Sequence, residues 1–98
     1  MNPETKIVNE ILEYLNGLDQ CRAVKVHGGY YGNNGEPDID CVYRGRSLKI
    51  EVKVPGQVPT RLQTKRLEQW KEVGAVSIWV DNLNGLKSIL TQIDAGVI

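Results

Sequence analysis

Residues 39–53 read IDCVYRGRSLKIEVK and decide the fold, because two runs of β-forming residues flank a turn signal. We predict two antiparallel strands joined by a tight turn at Gly45-Arg46. Pairing the strands about this turn sets Tyr43 opposite Leu48. The same pairing predicts which charged side chains meet across the two strands.

The predicted pairing gathers charged residues on one face of the hairpin. It sets Asp40 opposite Glu51 and Asp38 opposite Lys53. Because side chains alternate between the two faces of a strand, these four residues share one face. The other face is apolar and consists of Ile39, Cys41, Ile50, Val52 and Val54. Three carboxylates and one ammonium group are therefore predicted to converge.

Carboxylates this close together repel one another and shift one another's pKa, and a divalent cation would relieve the repulsion. Mg²⁺ takes oxygen ligands and is commonly held by one or two carboxylates together with water and substrate phosphate, which suits Asp38 and Glu51. Lys53 would supply positive charge beside such an ion. The alternative is a solvated strand face with two cross-strand ion pairs, and the residue types alone leave it open.

The other elements follow from hydrophobic periodicity and capping signals. An amphipathic helix is predicted from Pro3 to about Leu15, and a glycine-rich loop at residues 28–35. The remaining predicted elements are a strand at residues 21–27, a helix from Arg61 to about Val73 capped by Thr60 with Leu62, Leu67 and Trp70 inward, a buried strand from Val76 to Val80, and a last helix capped by Asp81 or Asn82 that runs through Ile93. The order αβββαβα predicts an α/β fold with one mixed sheet flanked by helices.

Glu4 stands out on the first helix, because it lies one turn before Ile7 and Val8 and in line with the apolar stripe. We therefore expect it to point toward the edge of the core, whereas Glu10 occupies the polar side. The alternative is an acidic residue that complements the helix dipole from the first turn.

The glycine-rich loop precedes Asp38 and carries two tyrosines and two asparagines. These side chains suit stacking on bases and hydrogen bonding to phosphates, but tyrosines packed within an ordinary surface loop account for them equally well. His27, at the end of the strand before the loop, is either a proton carrier or phosphate contact, or a structural histidine.

Composition bounds the protein class. The 98 residues, with 41% hydrophobic content, predict one domain spanning residues 1–98. Twelve basic and twelve acidic residues cancel, which argues against indiscriminate coating of DNA but leaves room for a local basic rim. Cys21 and Cys41 lack zinc-site spacing and are predicted to be buried free thiols. The absence of a long apolar run and of a signal-peptide profile predicts a soluble protein in a reducing cytoplasm.

The motif order carries a resemblance to a known family. Gly-x-Pro-Asp at residues 35–38, then Ile-Glu-Val-Lys at 50–53 followed by Pro-Gly, resembles the PD-(D/E)xK nucleases and, among them, the compact VRR-NUC (virus-type replication-repair nuclease) domains. The likeness runs from the helix of Glu4 through residues 60–63 to Gly74. A leading helix and a trailing helix with a glutamine make this order more specific than a bare Pro-Asp with a distant Glu-x-Lys.

The resemblance implies a Mg²⁺- or Mn²⁺-dependent nuclease. Asp38 and Glu51 would ligate the metal with the backbone carbonyl of Val52, and Glu4 would hold a second ion or a bound water. Lys53 would orient the nucleophile or stabilise charge on the phosphate. A glutamine near the catalytic residues corresponds to Gln63, and Asp40, which matches no motif position, has a supporting role at most. Candidate DNA contacts are Lys25, His27, Tyr30, Tyr31, Asn33, Asn34, Arg61 and Lys65.

Stand-alone domains of this type resemble viral junction-resolving enzymes of DNA repair, which act in a bacterial or phage-infected cell. We therefore expect cleavage of four-way (Holliday) junctions by a homodimer, since paired incision needs two active sites. Two alternatives stay open. One is a monomeric nuclease for flaps or other branched DNA, and the other is a catalytically inactive DNA-binding module of a replication complex.

Overall fold

The computed structural model describes residues 1–27 and 34–98. Within these two ranges, three helices and four strands follow one another in the predicted order αβββαβα. They are α1 (Pro3–Asn16), β1 (Cys21–Lys25), β2 (Ile39–Tyr43), β3 (Arg46–Val52), α2 (Arg61–Glu72), β4 (Val76–Val80) and α3 (Leu83–Asp94). Residues 28–33 of the predicted glycine-rich loop, with Tyr30, Tyr31 and Asn33, lie outside the described residues.

The four strands form one mixed sheet in the order β1-β2-β3-β4. The first two pairs are antiparallel and β3 pairs with β4 in parallel. A parallel pair needs a crossover connection, and α2 provides it. The predicted α/β fold with a mixed sheet is confirmed.

The hairpin turn differs from the prediction. It lies at Arg44 and Gly45, which both have positive φ values of 49° and 81°, rather than at Gly45-Arg46. Two-residue turns of this kind match the twist of the strands and favour glycine at the second central position. Tyr43 therefore pairs with Arg46, and the predicted pairing with Leu48 was wrong by two residues. Because side chains alternate with a period of two, this shift leaves every side chain on its predicted face.

The apolar face of the sheet is covered by α1 and α3. It presents Ile39, Leu48 and Ile50, each completely buried. Burial of such a side chain contributes about 1.5–3 kcal/mol. The helices contribute the buried stripes Val8, Ile11 and Leu15 from α1 and Leu86, Leu90 and Ile93 from α3. The helical period predicted for α1 is confirmed.

The charged face of the sheet is met by α2. The Lys49 ammonium of β3 lies 4.0 Å from the centroid of the Trp70 ring of α2, so the two elements touch on this face. Leu67 is buried and Trp70 is half-buried, as predicted. Leu62 was predicted to point inward but is 40% exposed, because it lies at the start of the helix over Gly35 instead of over the sheet.

Side chains cap all three helices. Asn2 accepts from the backbone amide of Thr5 at the start of α1, and Asn82, not Asp81, caps α3. The predicted Thr60 cap of α2 is confirmed as part of a capping box with Gln63. No helix within residues 1–27 and 34–98 is long and apolar enough to cross a membrane.

The two cysteines lie side by side on neighbouring strands, with their Sγ atoms 3.7 Å apart. Both are free thiols, as predicted, but only Cys41 is buried. Cys21 is half-buried because β1 is an edge strand. Burial, together with the neighbouring Cys21, raises the pKa of Cys41 to about 12, which disfavours its thiolate form.

Candidate active site

Asp38 and Glu51 lie next to each other across β2 and β3. Ile39 pairs with Ile50, so the next step along the hairpin brings Asp38 beside Glu51. Asp38 was predicted to lie opposite Lys53, and the shifted register corrects that pairing. The backbone amide of Val52 donates to Oδ2 of Asp38 at 2.8 Å, which fixes the carboxylate against β3.

Glu51 is the one charged residue among the buried residues that the structure describes. It is 1% exposed, and its Oε1 atom has no hydrogen-bond partner. The ammonium of Lys53 lies 3.7 Å from the other carboxylate oxygen, Oε2. Burial raises the pKa of Glu51 to about 8, helped by the negative charges of Asp38 and Glu4 and opposed by Lys53. The site thus holds a carboxyl group that ionises with difficulty.

The donor set fits a hard divalent cation. A buried carboxylate oxygen without a partner is costly and calls for an explanation such as an ion. Asp38, just before β2, and Glu51, on β3, present carboxylate oxygens side by side, and the Lys53 ammonium approaches the pair at Oε2 of Glu51. Within the described ranges, no group of three or more His, Cys, Asp or Glu side chains is arranged as a metal site. Mg²⁺ commonly binds through one or two carboxylates, so a pair suffices.

Glu4 lies in the first turn of α1 and is half-buried, in agreement with its predicted position at the edge of the core. Its negative charge adds to the effects of burial and of Asp38 in raising the pKa of Glu51. Glu10 is exposed and lines a separate groove with Glu13 and Tyr14. The helix phase therefore brings Glu4 toward the site and leaves Glu10 outside it.

Asp40 was predicted to lie opposite Glu51, but it pairs with Lys49 instead. Its carboxylate accepts from the Lys49 ammonium at 2.9 Å, and that ammonium also lies over the Trp70 ring. Asp40 is thus held in a cross-strand ion pair, of the kind that the alternative interpretation expected. The Lys49 contact was not predicted, because the predicted register gave Lys49 a different partner on β2.

Gln63 occupies the third position of α2, where its Oε1 atom accepts from the backbone amide of Thr60 at 2.9 Å. Its backbone amide in turn donates to the Thr60 hydroxyl at 3.1 Å. These contacts give the glutamine a clear structural task at the helix start. Its expected place near the catalytic residues stays a prediction.

The candidate DNA contacts that the structure describes are all exposed. Lys25 and His27 flank Val26, whose backbone amide donates to the Asp38 carbonyl at 2.8 Å, so this chain segment runs beside Asp38. The others are Asn34, just before Gly35, and Arg61 and Lys65 on α2. Tyr30, Tyr31 and Asn33, which lie outside the described residues, stay predictions with them.

The fold and site together define an α/β domain with a carboxylate pair and a lysine at one end of a mixed four-stranded sheet. No family model matches the sequence, and no curated protein sequence is significantly similar to it. Solved structures share the fold, and two of them are VRR_NUC domain proteins. One, described as "VRR_NUC domain", has a TM-score of 0.78 at 22% identity and covers 93% of this chain and 97% of its own. Another, "VRR_NUC domain protein", has a TM-score of 0.71 at 16% identity, over 94% and 88% of the two chains.

Proposed function

We propose that this protein is a metal-dependent endonuclease that hydrolyses DNA phosphodiesters. The observation that carries the proposal is the Oε1 atom of Glu51, which is buried without a partner beside Asp38 and Lys53. A carboxylate in this condition suits an ion that binds together with a phosphate substrate. The fold shared with the VRR_NUC structures and the resemblance to PD-(D/E)xK nucleases support the same conclusion.

Asp38 and Glu51 would hold Mg²⁺ or Mn²⁺, with the Val52 carbonyl as a further ligand. Such an ion supplies a water of lowered pKa and neutralises charge on the scissile phosphate. Lys53, whose ammonium is already directed at Glu51, donates to the phosphate or orients the attacking water. Glu4, whose charge acts on Glu51, would hold a second ion or a bound water.

We propose branched DNA as the substrate and a homodimer as the active form. The equal numbers of acidic and basic residues do not favour a protein that binds any duplex tightly. A four-way junction has two-fold symmetry, and two copies of this chain related by a two-fold axis would present one site to each of two strands. These two features favour junction cleavage over cleavage of a linear duplex.

A cleavage assay tests the function. The purified protein is incubated with labelled four-way junction, flap and linear duplex in Mn²⁺ or in EDTA. We expect incision of the junction in Mn²⁺ alone, and none by Asp38→Asn. Asp94→Asn is the matched control, because Asp94 is held by Tyr43 and Arg44 at the other end of the hairpin. Cleavage in EDTA, or equal loss in both variants, would overturn the proposal; incision confined to flaps would replace junctions as the substrate.

A further inference from the structure

The chain segment that leads into Asp38 is docked along one side of α2. Leu62, Arg66 and Trp70 recur at intervals of four residues, so they lie on one face of the helix. Each of them meets one residue of the segment just before Asp38. The segment is therefore held by three successive turns of a helix that contributes no carboxylate to the site.

The first two contacts fix Gly35 and Asn34. A Cβ atom on Gly35 would lie 2.7 Å from Cγ of Leu62, and Gly35 has a φ of +80°, so this position suits glycine on both counts. The guanidinium of Arg66 donates from Nε to the carbonyl of Asn34 at 3.1 Å. Together these contacts hold the start of the segment against the helix.

Trp70 makes the third contact and reaches both sides of Asp38. Its indole Nε1 donates to Oε1 of Glu36 at 3.1 Å, two residues before Asp38. The Lys49 ammonium lies 4.0 Å from the centroid of the Trp70 ring. The same ammonium donates to Asp40, two residues after Asp38. One side chain thereby connects to both flanks of the carboxylate.

A pocket of about 240 Å³ lies beside this segment. The cavity is lined by Val26, Pro37 and Trp70, with the charged groups of Glu36, Asp40 and Lys49 around it. If the polar contacts were lost, the segment would have room to move. Because the φ angle of Pro37 is restricted, the position of Glu36 constrains the position of Asp38.

We propose that Trp70 is a positioning residue that sets the Asp38 carboxylate in its metal-binding orientation by anchoring Glu36 and, through Lys49, Asp40. The proposal rests on the proposed function, because it assigns Asp38 to the metal. Trp70 lies on α2, a helix to which the sequence motifs assign no metal ligand. Partners that orient metal ligands typically contribute about 10- to 100-fold in metal affinity or activity.

The test measures Mn²⁺ binding by calorimetry without DNA, and kcat and KM for junction cleavage. Trp70→Phe keeps an aromatic ring beneath Lys49 but removes the N–H donor to Glu36. We expect the Mn²⁺ dissociation constant to rise about tenfold and kcat to fall, with KM for DNA unchanged. Glu36→Ala should reproduce this loss, whereas Glu36→Gln, which keeps an acceptor for the indole, should restore nearly normal binding.

Two controls separate positioning from general stability. Trp70→Phe with Glu36→Ala should lose no more Mn²⁺ affinity than either single change, since both remove one hydrogen bond. Tyr43→Phe is matched, because it removes another aromatic donor to a carboxylate, that of Asp94, at the opposite end of β2. It should lower the unfolding midpoint and leave Mn²⁺ affinity unchanged.

The outcomes distinguish the positioning role from the function beneath it. A wild-type protein that binds no Mn²⁺ overturns both proposals. A wild-type protein that binds Mn²⁺ and cuts DNA, alongside a Trp70→Phe variant of the same Mn²⁺ affinity, overturns only the positioning role. An equal loss of Mn²⁺ affinity in Tyr43→Phe would also overturn only the positioning role, because it would show that the loss in Trp70→Phe comes from lower stability.

Discussion

The Asp38 carboxylate is tied to β3 by the backbone amide of Val52, which donates to its Oδ2 atom at 2.8 Å. This bond holds the start of β2 against the end of β3 and leaves Oδ1 for another partner. Together with the strand register, it keeps Asp38 beside Glu51. The arrangement costs free energy in the metal-free protein, and this cost makes the site testable.

Removal of either carboxylate should separate catalysis from folding. Asp38→Asn keeps an oxygen for the Val52 amide, and Glu51→Gln removes the buried charge, so both variants should fold. Cleavage should fall by about 100-fold or more, which is at least the loss seen when a partner of a metal ligand is removed. Junction cleavage in Mn²⁺ measures catalysis, and circular dichroism measures folding. Unimpaired cutting by either variant would contradict the assignment.

The raised pKa of Glu51 predicts that metal-free stability falls as the pH rises. The unfolded carboxyl group ionises near its ordinary pKa of 4.5, but the folded one holds its proton to about 8. Between these values unfolding releases a proton, so a higher pH favours the unfolded state. Relative to Glu51→Gln, the wild-type unfolding midpoint in EDTA should drop by about 4 °C or more from pH 5 to pH 8.

Glu10→Gln is the control for that measurement, because it removes an exposed carboxylate. Its midpoint should follow the wild type at every pH. Parallel curves for wild type and Glu51→Gln would show that Glu51 titrates normally. Added Mn²⁺ should reverse the trend, since metal binding improves as the carboxyl group loses its proton.

Glu4 and Glu10 should differ in their effect on catalysis. Glu4 acts on the charge of Glu51 and is half-buried, whereas Glu10 is exposed over another groove. Glu4→Gln should lower kcat by about tenfold, and Glu10→Gln should leave it unchanged. Steady-state rates on a four-way junction provide the comparison. Equal losses would mean that α1 approaches the site with a different face.

Lys53 should act on the rate and not on metal binding. Its ammonium lies 3.7 Å from Glu51, and its side chain is 11% exposed. Lys53→Met keeps the apolar stem and removes the charge, so cleavage should fall by about 100-fold, as for the loss of one donor to a developing anion. Calorimetry should still detect Mn²⁺ binding.

Lys87→Met is the matched control for the lysine, because the Lys87 ammonium of α3 lies 4.8 Å from the centroid of the Tyr14 ring of α1. It should cut normally. A Lys53→Met protein that fails to fold, as seen by circular dichroism, would instead assign Lys53 to a structural ion pair with Glu51.

The proposed homodimer predicts a solution mass of about twice that of the chain at micromolar concentration. Light scattering after gel filtration measures it directly. A two-fold dimer should also bind a four-way junction more tightly than a linear duplex of equal length, because both sites engage one substrate. A monomeric mass together with cleavage confined to flaps would favour the monomeric alternative.

Local sequence patterns predict the element order and the two faces of the hairpin, because both depend on periods of 3.6 and 2 residues. They also place Glu4 on the inner side of α1. The register is harder, since a turn at Arg44 and Gly45 requires a positive φ at an arginine, which backbone preference does not favour. Even so, a register error of two residues leaves Asp38 and Glu51 on the same, correctly predicted face of the sheet.

Long-range side-chain contacts escape sequence reasoning altogether. Glu36 and Trp70 are separated by 34 residues, and neither has a local signal that names the other. The contact between Lys49 and Asp40 was not predicted for a different reason. It depends on the strand register, and the predicted register was wrong by two residues. The periodic spacing of Leu62, Arg66 and Trp70 is visible in the sequence, but a mixed apolar and charged stripe does not indicate what it binds.

The two indoles of this chain offer an optical view of the site. Trp70 donates to Glu36 beside Asp38, and Trp79 is the register partner of Glu51 on β4 and is 41% exposed. Tryptophan emission depends on nearby charge and is quenched by paramagnetic ions. The intrinsic fluorescence of the unlabelled protein should therefore change when Mn²⁺ binds, and the variants Trp70→Phe and Trp79→Phe should show which indole reports the change.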